Sequence, residues 1–175
     1  MKKNLTVEKT FDLAVKSYQK KKFHTAEKLY KEVLKKHPDH ANTYVNLGMV
    51  LKKLEKHKEA IDCYEKAIKI NPNDPNPHYN LGNLYKNFDK YEEAINFYNK
   101  AIQINPNNAD VYNNLGNVFK DLNEYKKAIN CYTKAIQINP NNAEVYNNLG
   151  LSYRKIGKST LSVDSYQKAL AKRTN

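Results

Sequence analysis

The chain repeats itself with a period of 34 residues, and no other feature restricts its fold as strongly. The segment NPNNADVYNNLG at residues 105–116 returns at residues 139–150, 34 positions later, with Asp110 replaced by Glu144. Such a period is typical of proteins built from stacked supersecondary repeats. Extended in both directions, it divides the chain into five repeats, at residues 7–40, 41–74, 75–108, 109–142 and 143–175.

Each repeat carries two apolar stripes with helical spacing. At about 100° per residue, positions 4, 7, 8 and 11 fall on one side of a first helix, and positions 20, 21, 24, 27 and 28 on one side of a second. Small residues at positions 8 and 27 let the two helices approach closely, and a tyrosine at position 24 fills the space beside them. These positions are occupied by Leu13, Leu47, Leu81, Leu115 and Leu149 (position 7), Ala14, Gly48, Gly82, Gly116 and Gly150 (position 8), and Tyr30, Tyr64, Tyr98, Tyr132 and Tyr166 (position 24).

The repeats are separated by turns of the type NPNN. A proline at position 32 of the first four repeats stops the second helix, and the neighbouring asparagines can cap the helix that follows. Each repeat therefore predicts an antiparallel helical hairpin. Since one hairpin cannot bury both of its apolar faces alone, the hairpins must stack on one another.

This pattern resembles the tetratricopeptide repeat (TPR) over nearly the whole chain. The resemblance implies an all-α fold, an α-solenoid of five antiparallel helix hairpins in a right-handed TPR superhelix, as a single domain over residues 1–175. The departures are local. Thr10 and Ser17 replace large residues in the first repeat, and Ser162 replaces alanine in the fifth.

Position 15 of each repeat, which favours glycine in this family, varies along the chain. It holds Gly157, Asn123 and Asp89, but also Lys21 and Glu55. The last two predict either a left-handed backbone at some cost in energy or a different turn.

The polar side of the first helix carries an asparagine row and a basic row, and the resemblance implies that this side lines a concave groove. An asparagine amide pairs with both the C=O and the N–H of a peptide. The asparagine row is similar to the asparagine ladder of the O-linked N-acetylglucosamine transferase repeats, which binds substrate peptides. The basic row favours an acidic, extended segment. We expect these asparagines to be exposed and to contribute little to folding. The predicted peptide-binding residues are Asn46, Asn80, Asn114 and Asn148 (position 6), Asn83 and Asn117 (position 9), and Lys52, Lys86, Lys120 and Arg154 (position 12).

A solvated surface is the alternative interpretation of this face, because asparagine is abundant throughout the chain, including the NPNN turns. A receptor for chaperone C-terminal tails is not predicted. Cochaperone repeats hold the terminal carboxylate with cations at positions that here are occupied by Phe11, Asn76 and Asn80.

No pattern in the chain predicts catalysis, a cofactor or a metal site. His37 and His40 lie at a helix end with only one carboxylate nearby, and Cys63 and Cys131 share one repeat position, which predicts small apolar residues in a reducing compartment. We therefore predict a non-catalytic scaffold that binds a protein or peptide partner. The alternatives are a substrate-presenting or regulatory segment of a protein glycosyltransferase-like system and a self-assembling structural module.

The formal net charge of +12 is concentrated at the two ends of the chain. Nucleic-acid binding requires a contiguous basic surface, so a nucleic-acid partner is not favoured. No apolar run reaches the roughly 20 residues of a membrane span, and the N-terminus lacks a signal-peptide core. We expect a cytoplasmic protein without a membrane partner.

The last helix carries an apolar stripe for which the repeat pattern supplies no following helix. Its members are Val163, Tyr166 and Leu170. We expect either weak self-association through these residues, giving a homo-oligomer, or a natural chain that continues beyond Asn175.

Overall fold

The computed structural model describes residues 6–173, most of which lie in ten α-helices. Between residues 6 and 173 there is no β-strand, so the predicted all-α fold is confirmed. The two helices of each repeat start at its positions 1 and 17, as at Val7 and Phe23. The helices are α1 (Val7–Gln19), α2 (Phe23–Lys36), α3 (Ala41–Lys53), α4 (His57–Ile70), α5 (Pro75–Asn87), α6 (Tyr91–Ile104), α7 (Ala109–Asp121), α8 (Tyr125–Ile138), α9 (Ala143–Lys155) and α10 (Ser159–Ala171).

The chain divides into two compact units, an N-terminal unit at residues 1–81 and a C-terminal unit at residues 82–175. In the N-terminal unit α1 packs on α2, α2 on α3 and α3 on α4. In the C-terminal unit α6 packs on α7, α7 on α8, α8 on α9 and α9 on α10. Helices thus contact their sequence neighbours, as stacked hairpins require. The single-domain organisation stays a prediction.

A tyrosine ring lies directly against a glycine of the facing helix in the hairpins. In the hairpin of α7 and α8, a Cβ built on Gly116 would lie 2.6 Å from the ring of Tyr132, which is fully buried. A Cβ built on Gly48 would also lie 2.6 Å from the ring of Tyr64, which is fully buried. The side chain of any other residue at these glycines would occupy the space of the ring, so the predicted close approach of the two helices is confirmed.

The asparagines of the NPNN turns are used by the backbone. Asn139 Oδ1 accepts a hydrogen bond from the Asn141 N–H at 3.2 Å, which closes a turn across the proline. Asn142 Oδ1 accepts from the Glu144 and Val145 N–H groups at 3.0 and 3.3 Å and caps α9. The same pair of contacts occurs one repeat earlier. The predicted capping role of these asparagines is therefore confirmed.

The residue at position 15 of every repeat adopts the left-handed backbone conformation. Its φ is 58° at Lys21, 59° at Glu55, 56° at Asp89, 60° at Asn123 and 75° at Gly157. The turn therefore keeps one geometry whatever residue it holds. A left-handed conformation is costly for lysine and glutamate and tolerated by asparagine and glycine, so the first two repeats carry backbone strain at this turn.

We expect Glu55→Gly to stabilise the protein. Glycine removes a left-handed penalty of about 1–2 kcal/mol and loses part of that gain through its greater freedom in the unfolded chain, which leaves a net increase of about 0.5–1 kcal/mol. The measurement is the free energy of unfolding in urea. Asn123→Gly is the matched control, for which a smaller change is expected. Equal effects of the two substitutions would contradict the explanation.

A buried ion pair joins the first two hairpins within the N-terminal unit. The Glu27 carboxylate on α2 is buried and accepts hydrogen bonds from Lys31 Nζ at 2.7 Å and from Lys56 Nζ at 2.9 and 3.0 Å. Lys56 is the residue that precedes α4. Burial opposes ionisation of the carboxyl, but the hydrogen bonds and charges of the two lysines outweigh it and lower the pKa of Glu27. This contact was not predicted from the sequence.

We expect Glu27→Gln to reduce stability by about 1–2 kcal/mol at pH 7, because a neutral amide loses the charge-assisted hydrogen bonding to the two lysines. Since the folded pKa lies below the unfolded value, the contribution of Glu27 is present above the unfolded pKa and disappears as the pH falls through the folded pKa. The difference between wild type and variant, measured by urea unfolding, should therefore shrink below about pH 4. Glu59→Gln is the control, because that exposed carboxylate lies 3.9 Å from Lys31. A constant difference between pH 7 and pH 3 would refute the assignment.

Candidate functional site

In the C-terminal unit the predicted asparagines bond to one another and to a buried tyrosine. Asn83 Oδ1 accepts from the Tyr98 hydroxyl at 2.7 Å and from Asn114 Nδ2 at 2.8 Å. These residues hold positions 24 and 9 of one repeat and position 6 of the next. We call this arrangement the amide triad.

A second amide triad repeats the first at the next pair of helices. Asn117 Oδ1 accepts from the Tyr132 hydroxyl at 2.8 Å and from Asn148 Nδ2 at 3.1 Å. Burial raises the pKa of the Tyr132 hydroxyl, which keeps it a hydrogen-bond donor.

The triads contradict one expectation drawn from the sequence. We expected Asn83, Asn114, Asn117 and Asn148 to be exposed and to contribute little to folding, but all four are half-buried and belong to the triads. The physical reason is the tyrosine hydroxyl, which reaches the edge of the polar face and needs an acceptor there.

The triads fix the direction of the central asparagine amides. Because Oδ1 of Asn83 and of Asn117 accepts two hydrogen bonds from inside the fold, the NH₂ group of each is the part left for other acceptors. Neither NH₂ group donates to a residue between 6 and 173. The face of α5 and α7 thus presents oriented N–H donors, which suit peptide carbonyls and carboxylates.

In the N-terminal unit the amide triad is interrupted. Position 9 holds Val15 in the first repeat, where burial raises the pKa of the Tyr30 hydroxyl to about 12 and the side chain of Asn46 acts against that rise. In the second repeat position 9 holds Met49. The hydroxyl of Tyr64 is buried there and has no hydrogen-bond partner among residues 6–173.

A cleft of about 450 Å³ lies beside Met49, within the N-terminal unit. Its walls include apolar surface from Phe11, Val45 and Met49, and amide groups from Asn46 and Asn80. The structure thus brings two of the predicted asparagines to one cleft. The apolar part of this site was not identified from the sequence, in which position 9 holds asparagine only at Asn83 and Asn117 and is apolar at Val15, Met49 and Leu151.

The basic row is not joined to the amide triads. Lys120 Nζ lies 3.8 Å from Asp121 Oδ1, and Lys86 and Arg154 form no ion pair with any residue between 6 and 173. Lys52, Lys86 and Lys120 are half-buried and Arg154 is exposed. Lys86 and Arg154 therefore keep their positive charges available for an anionic partner.

Other candidate chemistry is sparse in the described part of the chain. Cys63 and Cys131 are free thiols, and burial raises the pKa of each to about 11, which keeps them protonated and unreactive. Residues 6–173 contain no cluster of three or more His, Cys, Asp or Glu side chains suited to a metal ion. None of the helices in this range has the length and apolar character needed to span a lipid bilayer.

The predicted apolar stripe on α10 is only partly covered. Val163 is 53% exposed and Leu170 is 64% exposed, whereas Tyr166 is half-buried with its ring against Gly150. The equivalent residues one repeat earlier, Ile129 and Ile136, pack against a cluster that includes residues of α9.

Comparisons with known proteins agree with this architecture. Models described as TPR repeat match residues 51–87, 89–122 and 116–157, and models described as tetratricopeptide repeat match residues 11–40 and 29–62. The chain belongs to the tetratricopeptide repeat family. Its fold is an α-solenoid of helical hairpins, and repeats of this kind form protein-interaction scaffolds. No match to the chain was found among curated protein sequences.

Several solved structures share the fold of this TPR protein. A crystal structure of MamA is 31% identical, covering 92% of this chain and 94% of that one, with a TM-score of 0.84. YrrB, described as a TPR protein with an unusual peptide-binding site, is 19% identical, with coverages of 97% and 88% and a TM-score of 0.76. PilF of Pseudomonas aeruginosa is 20% identical, with coverages of 95% and 76% and a TM-score of 0.87. The last two likenesses concern the fold alone.

We expect Asn117→Met to destabilise the protein by about 1–3 kcal/mol, because it leaves the buried Tyr132 hydroxyl without an acceptor. The measurement is the free energy of unfolding in urea. Asn117→Met/Tyr132→Phe is the matched control, and removing the hydroxyl should recover part of the loss. If the double variant is as unstable as the single variant, the hydrogen bond is not the source of the effect.

Proposed function

We propose that this TPR protein binds an extended peptide segment of another protein along the polar face of its first helices. The observation that carries the proposal is the set of oriented N–H donors in the amide triads, which match the carbonyl groups of an extended backbone. Main-chain hydrogen bonds of this kind hold a peptide with little dependence on its sequence. The binding mode is the one implied by the resemblance to the O-linked N-acetylglucosamine transferase repeats.

An acidic ligand is favoured by the basic row. Lys86 and Arg154 carry charges that no described carboxylate neutralises, and a charged ligand groove raises both the rate and the selectivity of binding. Carboxylates are also acceptors for the NH₂ groups of Asn83 and Asn117. YrrB, which shares the fold, is described as having a peptide-binding site, and this supports the class of partner.

A library of random 12-residue peptides displayed on phage tests the proposal. We expect the wild-type protein to select peptides enriched in Asp and Glu. Lys86→Glu/Lys120→Glu should bind these peptides at least tenfold more weakly at low salt, with a smaller difference at high salt because ions screen exposed charges.

Lys134→Glu/Lys168→Glu, which carries the same change in net charge on second helices, is the matched control. Failure of the wild type to select any peptide would refute the proposal. Equal losses in the two charge variants would show that net charge, and not the basic row, governs binding.

A second candidate function, self-association, is favoured by the exposure of Val163 and Leu170. We propose that a second copy of the chain covers these residues, since their equivalents one repeat earlier are covered by α9. Burying both side chains favours association by about 2–4 kcal/mol. Sedimentation of the wild type should show association that strengthens with salt, because the end is basic, and Val163→Lys/Leu170→Glu should stay monomeric. Strictly monomeric wild type at high concentration and high salt would exclude this function.

A further inference from the structure

The amide triad is interrupted at Met49. Position 9 holds asparagine at Asn83 and Asn117, where it satisfies the tyrosine hydroxyl. At Met49 the corresponding hydroxyl, that of Tyr64, is buried and has no partner among residues 6–173. An unsatisfied buried hydroxyl destabilises a fold, so methionine at this position is not explained by stability.

The cleft beside Met49 has the size and composition of a binding site. Its volume of about 450 Å³ lies within the range of about 300–1,000 Å³ that is typical of ligand pockets. The lining is mixed: Phe11, Val45 and Met49 give the cleft apolar walls and Tyr79 adds a ring, while amide groups that can pair with a peptide backbone come from Asn42, Asn46, Asn76 and Asn80. Apolar walls beside convergent polar groups are found in ligand-binding sites, and this cleft has both.

The charge of the lining residues restricts which ligand side chains can occupy the cleft. Asp74 is the one charged residue among those that line the cleft, and its Oδ1 accepts from the N–H and Nδ2 of Asn76 at 2.9 and 2.8 Å. A carboxylate at this edge disfavours an acidic side chain in the cleft, even in a ligand that is acidic elsewhere. The matching side chain is apolar and uncharged.

We propose that this cleft binds one apolar side chain of the extended peptide while Asn46 and Asn80 hold the adjoining backbone, and that Met49 determines this specificity. The inference rests on the proposed peptide-binding function. In the two complete triads, the asparagine at position 9 accepts a hydrogen bond from the NH₂ group of the following asparagine, Asn114 or Asn148. By the same geometry an asparagine at residue 49 would engage Asn80 and replace apolar wall with amide, so Met49 keeps this wall of the cleft apolar and leaves Asn80 available.

The methyl group of Met49 provides a direct probe. The protein contains only two methionines, so ¹³C-methyl labelling gives at most two signals, and Met49→Leu assigns the one from Met49. We expect the selected 12-residue peptides and N-acetylleucinamide to shift the Met49 signal in a saturable way. N-acetylaspartamide, which has the same backbone groups and a charged side chain, should leave it unchanged.

Two variants test the role of Met49 in solution. Met49→Asn should bind the selected peptides at least tenfold more weakly than the wild type and should melt at a higher temperature, since it completes a triad with Tyr64 and Asn80. Met49→Leu preserves the apolar wall and should bind like the wild type. N-acetyltryptophanamide offers a second readout, because the protein has no tryptophan and the probe fluorescence shifts only when the indole is buried.

The outcomes separate the inference from the proposed function. Peptides that bind wild type and Met49→Asn equally and leave the Met49 methyl unshifted would overturn the inference and leave the proposed function standing. If the library yields no peptide, both fail. A saturable methyl shift together with the tenfold loss in Met49→Asn would establish the cleft as the specificity site.

Discussion

The contact between a tyrosine ring and a glycine of the facing helix organises both the core and the surface of this protein. In four hairpins the ring occupies space that a Cβ on the glycine would need, as at Tyr132 and Gly116. This sets a close distance between the two helices of the hairpin. It also carries the hydroxyl of the same side chain to the edge of the polar face, where a buried donor requires an acceptor.

The polar face follows from that requirement. In the C-terminal unit Asn83 and Asn117 accept the hydroxyl hydrogen bonds, and the next asparagine along the solenoid donates to the same oxygen. The amides therefore join each hairpin to the following one before any ligand is present. The NH₂ group of the Asn83 and Asn117 amides remains for a ligand, and its direction is fixed by the fold. A row of asparagines can thus be structural and available for binding at once, because each amide has two ends.

The repeat architecture could be predicted from the sequence because its evidence is local. Leu at position 7, Gly at position 8 and Tyr at position 24 recur in register, and the NPNN turns mark the helix ends. The triads could not be predicted, because they join residues 15 and 31 positions apart and depend on where a hydroxyl ends in space. Glu27 stands at position 21 of the apolar stripe, where the later repeats have Ile61, Ile95, Ile129 and Val163. The pattern did not indicate its contact with Lys56, because that partner lies 29 residues away. Met49 shares position 9 with the apolar residues Val15 and Leu151, so the sequence did not single it out, and its meaning depended on the unpaired hydroxyl of Tyr64.

Position 9 illustrates how a repeat protein can change its surface without changing its fold. Because the stability of a solenoid is a sum of local terms and nearest-neighbour contacts, replacing one asparagine affects one triad and leaves the others intact. In the first repeat, which has Val15 at this position, the side chain of Asn46 interacts with the Tyr30 hydroxyl and acts against the rise in its pKa. Met49 is not accommodated in this way, and the unpaired hydroxyl remains as a local loss of stability beside a cleft. The third repeat avoids this loss of stability with a single asparagine, Asn83. Binding therefore explains methionine at residue 49 better than packing does. The same reasoning makes position 9 the place where related repeats would differ in what they bind while keeping the tyrosine and glycine contact unchanged.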